Sequence, residues 1–112
     1  MTRLTSRFLV DLLCRRTESA GGFAAILASG DAQSGVILLQ CRDRGDVGPL
    51  LERRLSMDGV YVWDDIGPSA GDDDSARAAY VERRKKADPD LWIVELDIAD
   101  APQLVAEWSA LT

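Results

Sequence analysis

Ser75 to Ile98, SARAAYVERRKKADPDLWIVELDI, is the stretch that decides how the rest of the chain is read. Asp72, Asp73, Asp74 and Ser75 supply candidate N-caps and put carboxylates at the positive end of a helix dipole. Arg83, Arg84, Lys85 and Lys86 gather at the other end, where cations are favoured. Between them Ala76, Ala79, Tyr80, Arg83 and Ala87 recur at three- and four-residue spacing, one modest apolar stripe. Arg83 fits on that stripe by burying its stem and keeping its head in water. Pro89 cannot continue the helix and turns Asp88 away from helical angles. Leu91-Trp92-Ile93-Val94 then sets large side chains on both sides of a pleat, the pattern of a strand covered on both faces. Glu95 and Asp97 alternate with Leu96 and Ile98, so one face turns polar toward the end. This strand is expected to be the best buried in the molecule.

Working outward, Leu4 to about Ser19 reads as a first helix, capped by Thr5 or Ser6 and ended by Gly21-Gly22, with an extended reading of Arg7 to Cys14 as its competitor. Phe8, Leu9, Leu12 and Leu13 form its stripe. Phe23 to Ser29 and Gly35 to Arg42 read as strands, most simply paired as an antiparallel hairpin. Asp43 to Gly48 is a turn. Pro49 to Ser56 is a half-buried strand that proline suits only at its start, Met57-Asp58-Gly59 a turn, and Val60 to Trp63 a fourth strand. Asp64 to Asp74 is linker-like. After the central strand, Asp100 can cap a last helix with Pro102 in its first turn, and Leu104, Val105, Trp108 and Leu111 form its docking face. The expected fold is α+β, one domain over residues 1–112. An antiparallel meander sheet of about five strands is packed by helices, in the order helix, four strands, helix, strand, helix.

At 112 residues the chain can bury roughly two-thirds of its unfolded surface. A net charge of −6 disfavours phosphate-driven nucleic-acid binding. The N-terminal apolar run is interrupted by Asp11 and flanked by Arg15-Arg16, too short and too charged for a signal peptide or a membrane span. Cys14 and Cys41 make no disulfide framework and read as small hydrophobes in a reducing, cytoplasmic setting. The sequence contains no histidine, which excludes His-dependent triads, imidazole bases and His metal sites.

At Tyr80, Arg83-Arg84 and Asp88-Pro89-Asp90-Leu91-Trp92-Ile93-Val94-Glu95 the sequence resembles a family of short alphaproteobacterial proteins, domain of unknown function 1491. The opening is similar as well: Arg3-Leu4, a helical start, Arg15-Arg16 and the Gly22-Phe23-Ala24 entry to a strand. The resemblance spans nearly the whole chain, and Asp-Pro-Asp-Leu-Trp is its most specific part. It implies a lineage and brings no activity, cofactor or catalytic residue to carry over.

Several constellations have chemical readings. Arg42, Arg44, Arg53 and Arg54 fall near one end of a hairpin if the second and third strands pair, a candidate guanidinium patch for phosphate or carboxylate. Asp43, Asp46 and Glu52 lie close enough to neutralise it. Glu95 and Asp97, with Asp64 or Asp65 approaching from a neighbouring strand, resemble the carboxylates of metal-dependent nucleases, although the usual lysine is missing. An ordinary ion pair with a strand arginine is the plainer reading. The aspartates at 72–74 read as capping and Arg83 to Lys86 as a solvated helix end. Gly21-Gly22 precedes a strand and is no phosphate cradle. Trp63, Trp92 and Trp108 read as core or interface anchors.

No catalytic set emerges, and no cofactor or metal is expected. The leading expectation is a cytoplasmic, non-catalytic binding module for an unknown protein partner or a small anionic ligand. The rival is a metal-dependent enzyme acting on a phosphorylated or nucleic-acid substrate through Glu95, Asp97 and a nearby aspartate. Self-association as a homodimer, through a sheet edge or Trp108, is the third.

Overall fold

The computed structural model describes residues 4–67 and 74–110. Its elements are α1 (Ser6–Ser19), β1 (Phe23–Ala28), β2 (Ile37–Asp43), β3 (Asp46–Leu55), β4 (Tyr61–Ile66), α2 (Asp74–Ala87), β5 (Trp92–Asp97) and α3 (Ala101–Trp108), the α+β order read from the sequence. The competitor reading of residues 7–14 as extended is not what forms. Thr5 caps α1, its Oγ1 accepting from the Phe8 N–H at 3.1 Å, and Gly21 takes a left-handed φ of 93° after the helix.

The sheet corrects the antiparallel meander. Its strand order is β1-β5-β2-β3-β4, with β5 antiparallel to β1 and parallel to β2, so the sheet is mixed. The expected β1–β2 hairpin does not exist; β5 lies between its two arms. The reason is the sequence of β5 itself. Leu91, Trp92, Ile93, Val94 and Leu96 are all buried, and only an interior position covers such a strand on both faces. The loop from β1 to β2 therefore has to cross two strand spacings, roughly 10 Å, rather than turn tightly.

That crossing is held at very close range. A Cβ on Gly30 would lie 2.0 Å from the Asp90 carbonyl oxygen, and one on Gly35 2.3 Å from the same atom, so only glycine fits at either position. Asp31 N–H donates to the Asp90 carbonyl at 3.0 Å, Trp92 N–H to that of Val36 at 2.8 Å, and Trp92 Nε1 to that of Asp31 at 2.7 Å. Trp92 thus fills the core and ties down the loop that passes over it.

Two further strand boundaries differ from expectation. The turn after β2 is only Arg44-Gly45, both at positive φ (53° and 83°), and β3 begins already at Asp46. Pro49 consequently sits inside β3, at the register shift between Gln40 and Arg42 of β2, where a bulge tolerates its missing N–H. β4 runs on through Asp64 and Asp65 to Ile66, leaving less of the expected linker; residues 68–73, including Asp72 and Asp73, lie outside the described residues.

α1 and α3 cover one face of the sheet, with Leu9, Val10, Leu13, Ala101 and Val105 packed on Ile37, Leu39, Leu51, Trp92 and Val94. α2 covers the other, through Val81 and Tyr80 on Leu38, Leu50, Leu91 and Ile93. The helix stripes are rotated from those expected. Phe8 is exposed on α1. On α2 the inward residues are Arg77, Tyr80, Val81 and Arg84, while Ala76, Ala79, Arg83 and Ala87 face out. Asp100 occupies the N-cap position of α3 at φ 58° without a side-chain capping bond. Leu111 lies outside the described residues.

Candidate functional site

The β2–β3 register separates the four arginines expected to form one patch. Arg42 is opposite Val47 and Arg44 is in the turn, whereas Arg53 and Arg54 lie at the far end of β3, opposite Trp63 and Val62 of β4. Six residues of strand from Val47 to Arg53 amount to roughly 20 Å. The single cluster is therefore not formed, because the tight Arg44-Gly45 turn puts the two pairs at opposite ends of the hairpin.

The turn end is occupied by structural bonds. Arg42 Nε donates to Glu95 Oε1 at 2.7 Å and Nη2 to Asp74 Oδ1 at 3.0 Å, and Glu95 first, then Asp74, raises the guanidinium's pKa. Gln40 Nε2 reaches the same Glu95 oxygen at 2.9 Å. Asp97 accepts the N–H groups of Arg44 and Gly45 at 2.7 and 3.0 Å, bracing the tight turn. The carboxylates of the metal-enzyme reading are thus committed elsewhere. Asp64 pairs with Arg54, and Asp64 and Asp65 stand three strands away from β5, roughly 14 Å. They do not converge with Glu95 and Asp97, because β5 sits in the middle of the sheet and β4 at its edge. Among the described residues no three His, Cys, Asp or Glu side chains form a group able to hold a metal ion.

The thiols are equally unsuited to attack. Burial pushes Cys41 up to about 12 and Cys14 also upward, with Glu18 and Asp11 adding to the rise at Cys14.

The open end of the hairpin is different. Between the start of α1, the crossing loop and the ends of β3 and β4 lies a cleft of about 470 Å³ lined by Thr5, Gln33, Ser34, Arg53, Arg54 and Tyr61, among others. The Arg53 guanidinium carbon lies 3.9 Å from the centre of the Tyr61 ring, a cation–π contact that holds it at the wall. Asp31 shapes the loop opposite: its Oδ2 accepts from Ser34 N–H at 2.8 Å and Gln33 N–H at 3.2 Å, and the Ser34 bond above all lowers its pKa. The first N–H groups of α1 are already taken, since Ser6 and Arg7 donate to the Gln33 and Ala32 carbonyls at 3.1 and 3.0 Å, Phe8 to Thr5 Oγ1 and Leu9 to the Thr5 carbonyl at 3.0 Å. Positive charge in the cleft therefore comes from Arg53 at the wall, since Arg54 at the rim is paired with Asp64, and not from the helix dipole.

Sequence reasoning missed Arg77. It is 2% exposed, at the heart of the α2 contact, donating from Nη1 to the Gly48 carbonyl at 2.5 Å and from Nη2 to that of Cys41 at 2.9 Å. Desolvation, then the charge of Arg42, lowers its pKa. It serves the carbonyls of the β3 bulge, and only its i, i+4 relation to Val81 signalled an inward position.

The family model described as a protein of unknown function (DUF1491) matches residues 4–106. The chain belongs to the DUF1491 family. A crystal structure of a DUF1491 protein from Caulobacter crescentus CB15 is 32% identical with a TM-score of 0.79, covering 88% of this chain and 92% of that one. An NMR structure of a DUF1491 protein from the same organism is also 32% identical, with a TM-score of 0.77 and coverage of 90% and 91%. Protein Atu0922 from A. tumefaciens is 27% identical with a TM-score of 0.63, covering 88% and 89%. These sources agree with the alphaproteobacterial lineage that the resemblance implied. No functionally curated protein matches the chain.

Proposed function

We propose that this DUF1491 protein is a non-catalytic binding module whose ligand is a small anion, a phosphate or carboxylate, received in the cleft beside Arg53. The observation that carries the reading is a guanidinium stacked on Tyr61 at 3.9 Å in the wall of a 470 Å³ cleft, facing a polar loop that presents Gln33 and Ser34. Planar guanidinium suits bidentate contact with such anions, and stacking reduces the freedom it would lose on binding. Against an enzyme reading stand the committed carboxylates, the un-ionised buried thiol of Cys41 and the lack of histidine in the sequence. Work in a reducing, cytoplasmic compartment fits the two free cysteines. No helix among the described residues is long and apolar enough to cross a membrane.

Titration with inorganic phosphate and with small dicarboxylates, followed by amide shifts and melting, tests this. Shifts should concentrate at Gln33, Ser34 and Tyr61, with a Tm rise of about 2–4 °C at saturation. Arg53→Gln should abolish both effects while keeping the fold. Equal responses in wild type and Arg53→Gln, or none in either, end the reading.

A further inference from the structure

The two edges of the sheet are protected very unequally. β4 carries Asp64 and Asp65, charges that keep an edge from pairing with another chain. β1, FAAILA, carries no charge and no proline, and none of the described strands pairs with its outer side. Among the described residues its only blunting device is the register shift between Ile26 and Ala28, which leaves Phe23 to Ile26 regular. Phe23 is 77% exposed, Ile26 45% and Leu27 51%, and Phe8, on the helix that packs over β1, is 57% exposed.

We propose that β1 is the contact strand of a homodimer, two copies joining edge to edge, antiparallel, into one continuous sheet. A second copy fits the edge by its own sequence. Antiparallel pairing about a two-fold axis keeps each sheet face on its own side, so the axis passes through a residue rather than between two. Centred on Ala25, it sets the two small Ala25 side chains together and places Ala24 of each copy against Ile26 of the other, small against large. Phe23 then approaches the end of the second copy's strand at Leu27, where the register shift closes the regular stretch, and the two α1 helices share one face. The four exposed side chains leave about 460 Å² of apolar surface open per copy, taking about 200 Å² for each large side chain. With the backbone edge, a pair approaches the roughly 1,200 Å² at the low end of specific contacts, which makes the dimer concentration-dependent. Each copy carries −6, so the contact is apolar between like-charged bodies and strengthens as salt screens them.

Sedimentation equilibrium of the full chain over a concentration series tests it. A reversible monomer–dimer equilibrium that tightens with added NaCl is expected. Ile26→Lys should weaken association at least about tenfold by placing a charge against its twin edge. Met57→Lys, on the exposed β3–β4 turn, should leave it unchanged. Should Ile26→Lys misfold, Leu27→Lys carries the same expectation. Amides of β1 should also exchange more slowly as concentration rises. A monomer at every concentration overturns the proposal, as does a dimer that survives the folded lysine variants or β1 exchange independent of concentration, either of which would assign the edge to another protein's strand or the contact to another face.

Discussion

α1 and α3 close one side of the sheet with hydrocarbon, and α2 closes the other largely with arginine. On the first side Leu9, Val10, Leu13 and Val105 meet a continuous apolar surface. On the second only Val81 and Tyr80 offer apolar contact, and the helix is fastened by Arg77 on two backbone carbonyls, by Arg84 to Glu52 at 2.5 Å, and by Asp74 to Arg42. The difference shows that a helix with a poor apolar stripe can still be docked, provided the sheet presents acceptors for it. Here the bulge around Gly48 and Pro49 does so. Apolar packing tolerates small slips; a guanidinium forked between two carbonyls fixes the register of α2 along the strands.

The largest effect should come from the shared core. Trp92→Ala removes a fully buried indole and its bond to the Asp31 carbonyl, so urea unfolding should lose about 4 kcal/mol. A loss below about 1 kcal/mol would mean that β5 is not what organises both faces.

Next is the polar side. Arg77→Met keeps much of the volume but leaves the Gly48 and Cys41 carbonyls without their buried donor, and should cost about 2–3 kcal/mol. Arg77→Lys should recover less than half of it, since an ammonium does not match the fork. Full recovery by lysine would reduce the contact to charge alone. The smallest effect belongs to the exposed pair: Asp74→Asn should cost about 0.5 kcal/mol at low salt and nothing measurable at molar salt, because Asp74 is 62% exposed. The same salt should leave the Trp92→Ala difference unmoved.

The element order and the burial of β5 were legible, because helix stops at Pro89 and a doubly apolar strand are local signals. Strand order was not. Adjacent strands usually pair, and nothing local in Phe23 to Arg42 says that a later segment will part them; the glycines at 30 and 35 mark that passage only once Asp90 is known to lie beneath them. The face of α2 was misread for a related reason: two of its inward residues, Arg77 and Arg84, are charged, and hydrophobic periodicity cannot see a buried donor. The arginine patch failed on one turn. After the Arg44-Gly45 turn β3 begins three residues earlier than the polar run suggests, and Arg53 and Arg54 lie at its opposite end.

Since β5 stands between β1 and β2, a ribosome must deliver residue 97 before the two earliest strands acquire their shared neighbour. Until then the nascent chain can build the β2–β3–β4 ribbon but not join β1 to it. Assembly is thus deferred to the end of the strand-bearing sequence, with many long-range pairings closing together, which places this small protein among slow folders for its length.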